Sequence, residues 1–146
     1  MTPQERAERC AAVMWAEDAA SQAMGMRIAR VAPGEAVLTF TVRSEHLNGH
    51  GICHGGYIFA LADSAFAFAC NSYNRIAVAQ QNQITYMSPA REGEELEAIA
   101  EEVSLAGRSG IYDVTVYGSD GRMVALFRGL SRIMPGAHFE EPEDTG

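Results

Sequence analysis

The chain of 146 residues carries 11 Lys and Arg against 19 Asp and Glu, a net charge of -8, with 47% hydrophobic and 21% charged residues. This builds one domain around a real core, and the charge excludes a role resting on generic attraction to nucleic acid or anionic lipid. The longest apolar run, residues 57–70, contains Asp63 and falls short of the ~20 nearly uncharged residues of a spanning helix, so no membrane segment is expected. The N-terminus mixes charge signs and lacks a basic start followed by an apolar stretch, which predicts a cytoplasmic protein. Cys10, Cys53 and Cys70 form an odd set without CxxC spacing and read as reduced thiols rather than a disulfide framework or a metal site.

Thr2-Pro3-Gln4-Glu5 supplies a cap, a proline at the first helical position and a Glu three residues after the cap. With Ala7, Cys10, Ala11 and Met14 at helical spacing and Gly25 as a stop, it predicts one helix over residues 2–24 that flanks the core. The pattern then alternates, predicting strands over 26–31 and 36–43 around the turn Ala32-Pro33-Gly34-Glu35. A polar, Gly-bearing loop over 44–54 leads into residues 55–71, apolar on every side and therefore a buried helix. Four strands follow, over 76–87, 96–105, 110–117 and 122–134, the last two joined by a tight turn at Asp120-Gly121. This order predicts an α+β domain over 1–134, an antiparallel sheet wrapped around a central helix. Residues 135–146, with two prolines, four acids and no periodicity, predict a disordered acidic tail.

The chemistry concentrates in Asn48-Gly-His-Gly51-Ile-Cys-His54-Gly55-Gly56 and the helix that follows. Gly55 and Gly56 open that helix, so their N–H groups lack intrahelical partners and no side chain blocks approach, the geometry of an oxyanion or carbonyl site. Asp63 lies inside the apolar helix, where an unpaired carboxylate costs several kcal/mol; it either serves chemistry or caps another polar group. Gly55 and Asp63 are eight residues apart, about 12 Å along an ideal helix. One chain does not bring both to one carbonyl, whereas two copies about a two-fold axis can. Cys53 beside His54 suggests a thiol nucleophile, but adjacent residues on an extended chain point opposite ways, and a small buried Cys is the commoner case.

The set Asn48-x-x-Gly51-x-x-His54-Gly55-Gly56 followed by Asp63 resembles the signature of the hotdog-fold acyl-CoA thioesterases. Leu61-Ala-Asp63-Ser-Ala-Phe-Ala-Phe-Ala-Cys-Asn-Ser72, Gly107-Arg108 before Ile111-Tyr-Asp113, and Val124-Ala-Leu-Phe-Arg-Gly129 resemble the PaaI family of phenylacetic acid degradation. The resemblance spans roughly residues 20–134 and implies the hotdog fold. It implies Asp63 as general base or nucleophile, and the Gly55 N–H, with the helix dipole, as the group polarising the thioester carbonyl. Asn48 and His54 position water or hold the loop, and His54 equally fits a purely loop-ordering bond. Related sequences sometimes carry Ser or Thr on the strand after the helix, where this chain has Ala79.

The resemblance further assigns Gly51 and Gly56 to the substrate loop and Tyr86 and Pro89 to a segment near coenzyme A. Arg91 and Arg108 are candidates for its phosphates or are solvated surface groups. Tyr57, Phe59 and Phe66 either receive an aromatic acyl group or pack the core. The implied activity is hydrolysis of phenylacetyl-CoA or hydroxyphenylacetyl-CoA to free acid and CoA, by a homodimer or tetramer with its site at the dimer interface and with no metal or redox cofactor. The rivals are a non-catalytic acyl-CoA-binding module and a hotdog enoyl-CoA hydratase.

Overall fold

A computed structural model describes residues 1–142. Helix α1 spans Pro3–Glu17. Thr2 Oγ1 accepts from Glu5 N at 3.1 Å, and Glu5 Oε1 accepts from Thr2 N at 3.0 Å, so both halves of the expected capping box form. The helix does not run on to residue 24. Asp18 leaves helical geometry and caps a second helix, α2 (Ala19–Met24), by accepting Ser21 N at 3.0 Å. A short acceptor side chain competes with the helical backbone at this point, which the apolar spacing did not register. Gly25 then ends α2 in the left-handed region, φ 82°.

Strands β1 (Arg27–Ala32) and β2 (Glu35–Thr41) form the first hairpin, and β3 (Ala77–Tyr86), β4 (Glu95–Ala106), β5 (Ser109–Tyr117) and β6 (Met123–Ile133) follow helix α3 (Gly55–Cys70). They make a six-stranded antiparallel sheet in the order β1-β2-β4-β5-β6-β3. Register stacks one apolar face: Leu38 pairs with Ala98, Ala98 with Val116, and Val116 with Ala125. All four are buried against α3, whose Leu61, Ala65, Phe66 and Ala69 are buried in turn. Ala98, Ala100 and Gly129 keep the sheet thin under the helix; a Cβ on Gly129 would stand 2.8 Å from the Phe66 ring. The chain belongs to the hotdog fold, with α3 as the filling.

The C-terminal segment has no helix or strand up to residue 142, but it is not loose. Asn74, itself in the left-handed region at φ 57°, accepts His138 N at 2.9 Å and donates to Phe139 O at 2.9 Å. His138 Nε2 meets Asn71 Oδ1 at 2.8 Å, Arg6 pairs with Glu141 at 2.7 Å, and the Arg9 guanidinium lies over the Phe139 ring. The disorder expected from residue 135 is therefore corrected as far as 142. The remainder of the acidic tail, 143–146, lies outside the described residues. Composition missed the anchoring because each bond reaches back more than sixty residues.

Candidate active site

The loop before α3 is built by its own polar groups. Asn48 Oδ1 accepts His50 N at 2.9 Å and Ile52 N at 3.3 Å, and Asn48 O accepts Gly51 N at 3.0 Å. Gly51 takes φ 73° to close this turn, so its N–H is spent on the loop and its glycine identity on the backbone. Cys53 N donates to Ala90 O at 2.8 Å, fastening the loop to the segment after β3 that carries Pro89 and Arg91.

His54 is the N-cap of α3. Its Nδ1 accepts Gly56 N at 2.9 Å and its carbonyl accepts Tyr57 N at 3.0 Å. The neutral ring therefore carries its proton on Nε2. Of the two glycine N–H groups expected to stand open, that of Gly56 is occupied, and that of Gly55 is left at the positive end of the helix. Gly55 is also overlaid by Tyr86, whose hydroxyl donates to Gly55 O at 2.8 Å; a Cβ on Gly55 would come within 3.1 Å of that ring.

Asp63 sits half-buried on α3, and Asn82 Nδ2 donates to its Oδ1 at 3.0 Å. Burial pushes the Asp63 carboxyl above the ordinary range, and the Asn82 N–H pulls it part of the way back. Asn82 Oδ1 is buried without a hydrogen-bond partner among the described residues. The partner of Asp63 is thus Asn82, and not position 79, where related sequences sometimes carry Ser or Thr and this chain has Ala. β3 bulges between Ala79 and Gln81, and the extra residue resets the alternation so that Asn82, opposite Gly129, faces α3. Ala79 makes no contact with Asp63 through a polar atom, and an unbroken period of two cannot find Asn82.

Two cavities flank these groups. A groove of about 890 Å³ between α2 and α3 is lined by Asp63, His54, Gly56, Tyr57, Ser64 and Met24, among others. A second cavity, about 400 Å³, is lined by Asn48, Gly55, Tyr86 and Pro89. Asp63 and Gly55 thus open onto different spaces of one chain, as the helical rise requires. Tyr57 lines the groove with its ring edge-on to His46, 4.7 Å between centroids. Phe59 and Phe66 instead pack on Phe127, in the core. His46, which sequence reasoning passed over, is buried in the groove wall; its Nδ1 accepts Arg43 N at 2.9 Å, and burial lowers its pKa.

Arg91 and Arg108 lie apart. Arg91 is beside the α3 N-terminus through the Cys53–Ala90 bond, and Arg108 is at the opposite end of the sheet, where its carbonyl accepts Ile133 N at 2.7 Å. Both are exposed, and neither joins an ion pair among the described residues, whereas Arg122 and Arg128 do. Cys53 is buried, its thiol pushed up to about 11 by desolvation, so it is a poor nucleophile at neutral pH. Among the described residues no three His, Cys, Asp or Glu side chains gather as a metal site, and no helix is long and apolar enough to cross a membrane.

Residues 50–125 match the family model described as the thioesterase superfamily. The acyl-coenzyme A thioesterase PaaI of Escherichia coli is 42% identical over 123 residues, 84% of this chain and 88% of that protein. The chain belongs to the thioesterase superfamily. The solved structure of the E. coli PaaI protein from the phenylacetic acid degradation operon superposes with a TM-score of 0.92 at 39% identity, covering 93% of this chain and 99% of that one. A mutant of the Thermus thermophilus phenylacetic acid degradation protein PaaI superposes at 0.76 with 43% identity, covering 78% and 97%. A Streptococcus mutans protein bound to acetyl CoA gives 0.74 at 26% identity, covering 77% and 90%. The chemistry of this thioesterase chain is therefore thioester hydrolysis.

Proposed function

We propose that the chain is a homodimeric acyl-CoA thioesterase acting on phenylacetyl-CoA or its hydroxylated relatives in phenylacetate degradation, with each site shared between two copies. The observation that carries this reading is the separation of a basic carboxylate from a carbonyl-polarising N–H into two cavities of one chain. A two-fold contact closes that gap. β3 is an edge strand of ten residues without a charge or a proline, the devices by which edges are kept from pairing. Antiparallel pairing of two β3 strands lays their helices side by side in opposite directions. Gly55 of one copy then comes toward Asp63 of the other, and the Arg108 end of one sheet comes toward the Gly55 end of its neighbour.

In that site the Asp63 carboxylate takes a proton from water as the water oxygen bonds to the thioester carbon. The Gly55 N–H and the α3 dipole hold the oxyanion. Collapse breaks the C–S bond, and the proton held by Asp63 passes to the departing thiolate, leaving free acid and CoA thiol. His54 and the Asn48 loop hold the Gly55 N–H in place. The raised Asp63 pKa makes the carboxylate a stronger base than an exposed one.

The test is release of CoA thiol from aryl-acetyl, benzoyl and straight-chain acyl-CoAs by the native chain and by Asp63→Asn. Release that prefers aryl-acetyl groups and falls by about two to four orders of magnitude in the variant is expected. Binding without release from any thioester would replace this reading with the acyl-CoA-binding module, and hydration of enoyl-CoA with thioesters intact would replace it with the hydratase.

A further inference from the structure

Resting on the proposed acyl-CoA hydrolysis, we infer that Ser64 is the hydrogen-bond acceptor for a hydroxyl group on the acyl moiety, set in that state by a chain through Ser21 to Asp18. Asp18 Oδ1 accepts Ser21 N at 3.0 Å, and Asp18 Oδ2 accepts the Ser21 hydroxyl at 2.7 Å. A serine hydroxyl has one proton, and that of Ser21 is spent on the carboxylate. Across the 2.8 Å contact between Ser21 Oγ and Ser64 Oγ, Ser64 must therefore be the donor. Its own proton is committed, and only lone pairs remain for the groove.

The position of Ser64 gives those lone pairs a use. Gly56, Ala60, Asp63, Ser64 and Ala67 form one stripe of α3 along the groove, and Ala20, Ala23 and Met24 of α2 face it. An acyl group whose carbonyl is near Asp63 lies on a floor of small apolar side chains with Ser64 as the adjacent acceptor. A bare ring leaves that acceptor dry, whereas a hydroxyl completes a chain that ends on a carboxylate and is strengthened by it. Ser21 is itself buried, so solvent does not readily break the chain. Asp18 and Ser21 join Ser64 only because α2 packs on α3 in the fold.

The experiment compares kcat/KM for phenylacetyl-CoA with its ortho-, meta- and para-hydroxy and matching methoxy forms in the native chain, Ser64→Ala and Ser21→Ala. The native chain is expected to favour one hydroxy isomer by about ten-fold over both the unsubstituted and the methoxy compound, since a methoxy oxygen has no proton to give. Ser64→Ala brings the ratio close to one. Ser21→Ala frees the Ser64 proton and raises the methoxy compound relative to the hydroxy one. A ratio that Ser64→Ala leaves unmoved, with all substrates slowed alike, would mean that the serines only tie α2 to α3 and would overturn the inference. If no substrate releases thiol, the hydrolysis reading fails by itself. The same ratios are then read from calorimetric binding of the acyl-CoAs, where a hydroxyl preference lost in Ser64→Ala supports the subsite and its absence in the native chain overturns it.

Discussion

Gly55→Pro removes one N–H from the proposed oxyanion site and sets the ring's Cδ methylene in its place. Proline is accommodated at the first helical position, and His54, at φ -60° and ψ 132°, already has the extended geometry that a residue before proline requires. Neighbouring donors do not replace the lost one, because Gly56 N is held by His54 Nδ1 at 2.9 Å and Tyr57 N by His54 O at 3.0 Å. Loss of one oxyanion donor is worth about 10²–10³ in kcat, or roughly 3–4 kcal/mol. The new ring meets the tip of Tyr86, which is 49% exposed and can give way. Gly55→Ala brings a Cβ to the same tip while keeping the N–H, so the difference between the two variants reports the N–H position, donor lost and Cδ methylene gained.

The assay is kcat for CoA release, with circular dichroism melts to show that both variants fold. Equal kcat in the Ala and Pro variants, with both folded, would refute the assignment. The same variant tests the shared site. Mixed one to one with Asp63→Asn, it forms heterodimers in which one site carries both lesions and the other none, restoring about a quarter of native activity. A mixture no more active than its components would place both groups in one chain.

The pH dependence of turnover depends on Asn82. Asn82→Ala removes the hydrogen bond that lowers the Asp63 pKa and leaves the burial that raises it, so the acid limb of the kcat/KM profile moves to higher pH. An unmoved limb would separate Asp63 from the rate-determining base. In the core, Gly129→Ala sets a methyl 2.8 Å from the buried Phe66 ring and is expected to cost about 1–3 kcal/mol in urea unfolding. A variant as stable as the native chain would show that the ring shifts freely. Stability also falls in acid. His46 and His138 have folded pKa values pushed below 6.5 by burial, so the unfolded chain binds more protons as pH drops through 6.5, and the unfolding free energy decreases from there downward. A flat profile from pH 7 to 5 would exclude this linkage.

The order of the strands, the buried α3 with Asp63 inside it, and the loop that runs from Asn48 through His54 to Gly55 were legible in the sequence. Each is written in local signals: a capping box, alternation, an apolar run and an acid misplaced within it. Even the division of Gly55 from Asp63 followed from the rise of a helix. Other features depended on the partners of single polar groups, some two or three residues away and some far apart in the chain. The Asp18 cap split one expected helix into two, and a bulge in β3 turned Asn82 rather than Ala79 toward Asp63. The His54 ring claimed the Gly56 N–H, and the packing of α2 on α3 made a chain of Asp18, Ser21 and Ser64. Periodicity reports which face of an element is buried. It does not report the partner of a polar atom, which near in the chain turns on one side-chain hydrogen bond, nor the bulge in β3 and the meeting of α2 with α3, which are settled by where the rest of the chain comes to lie.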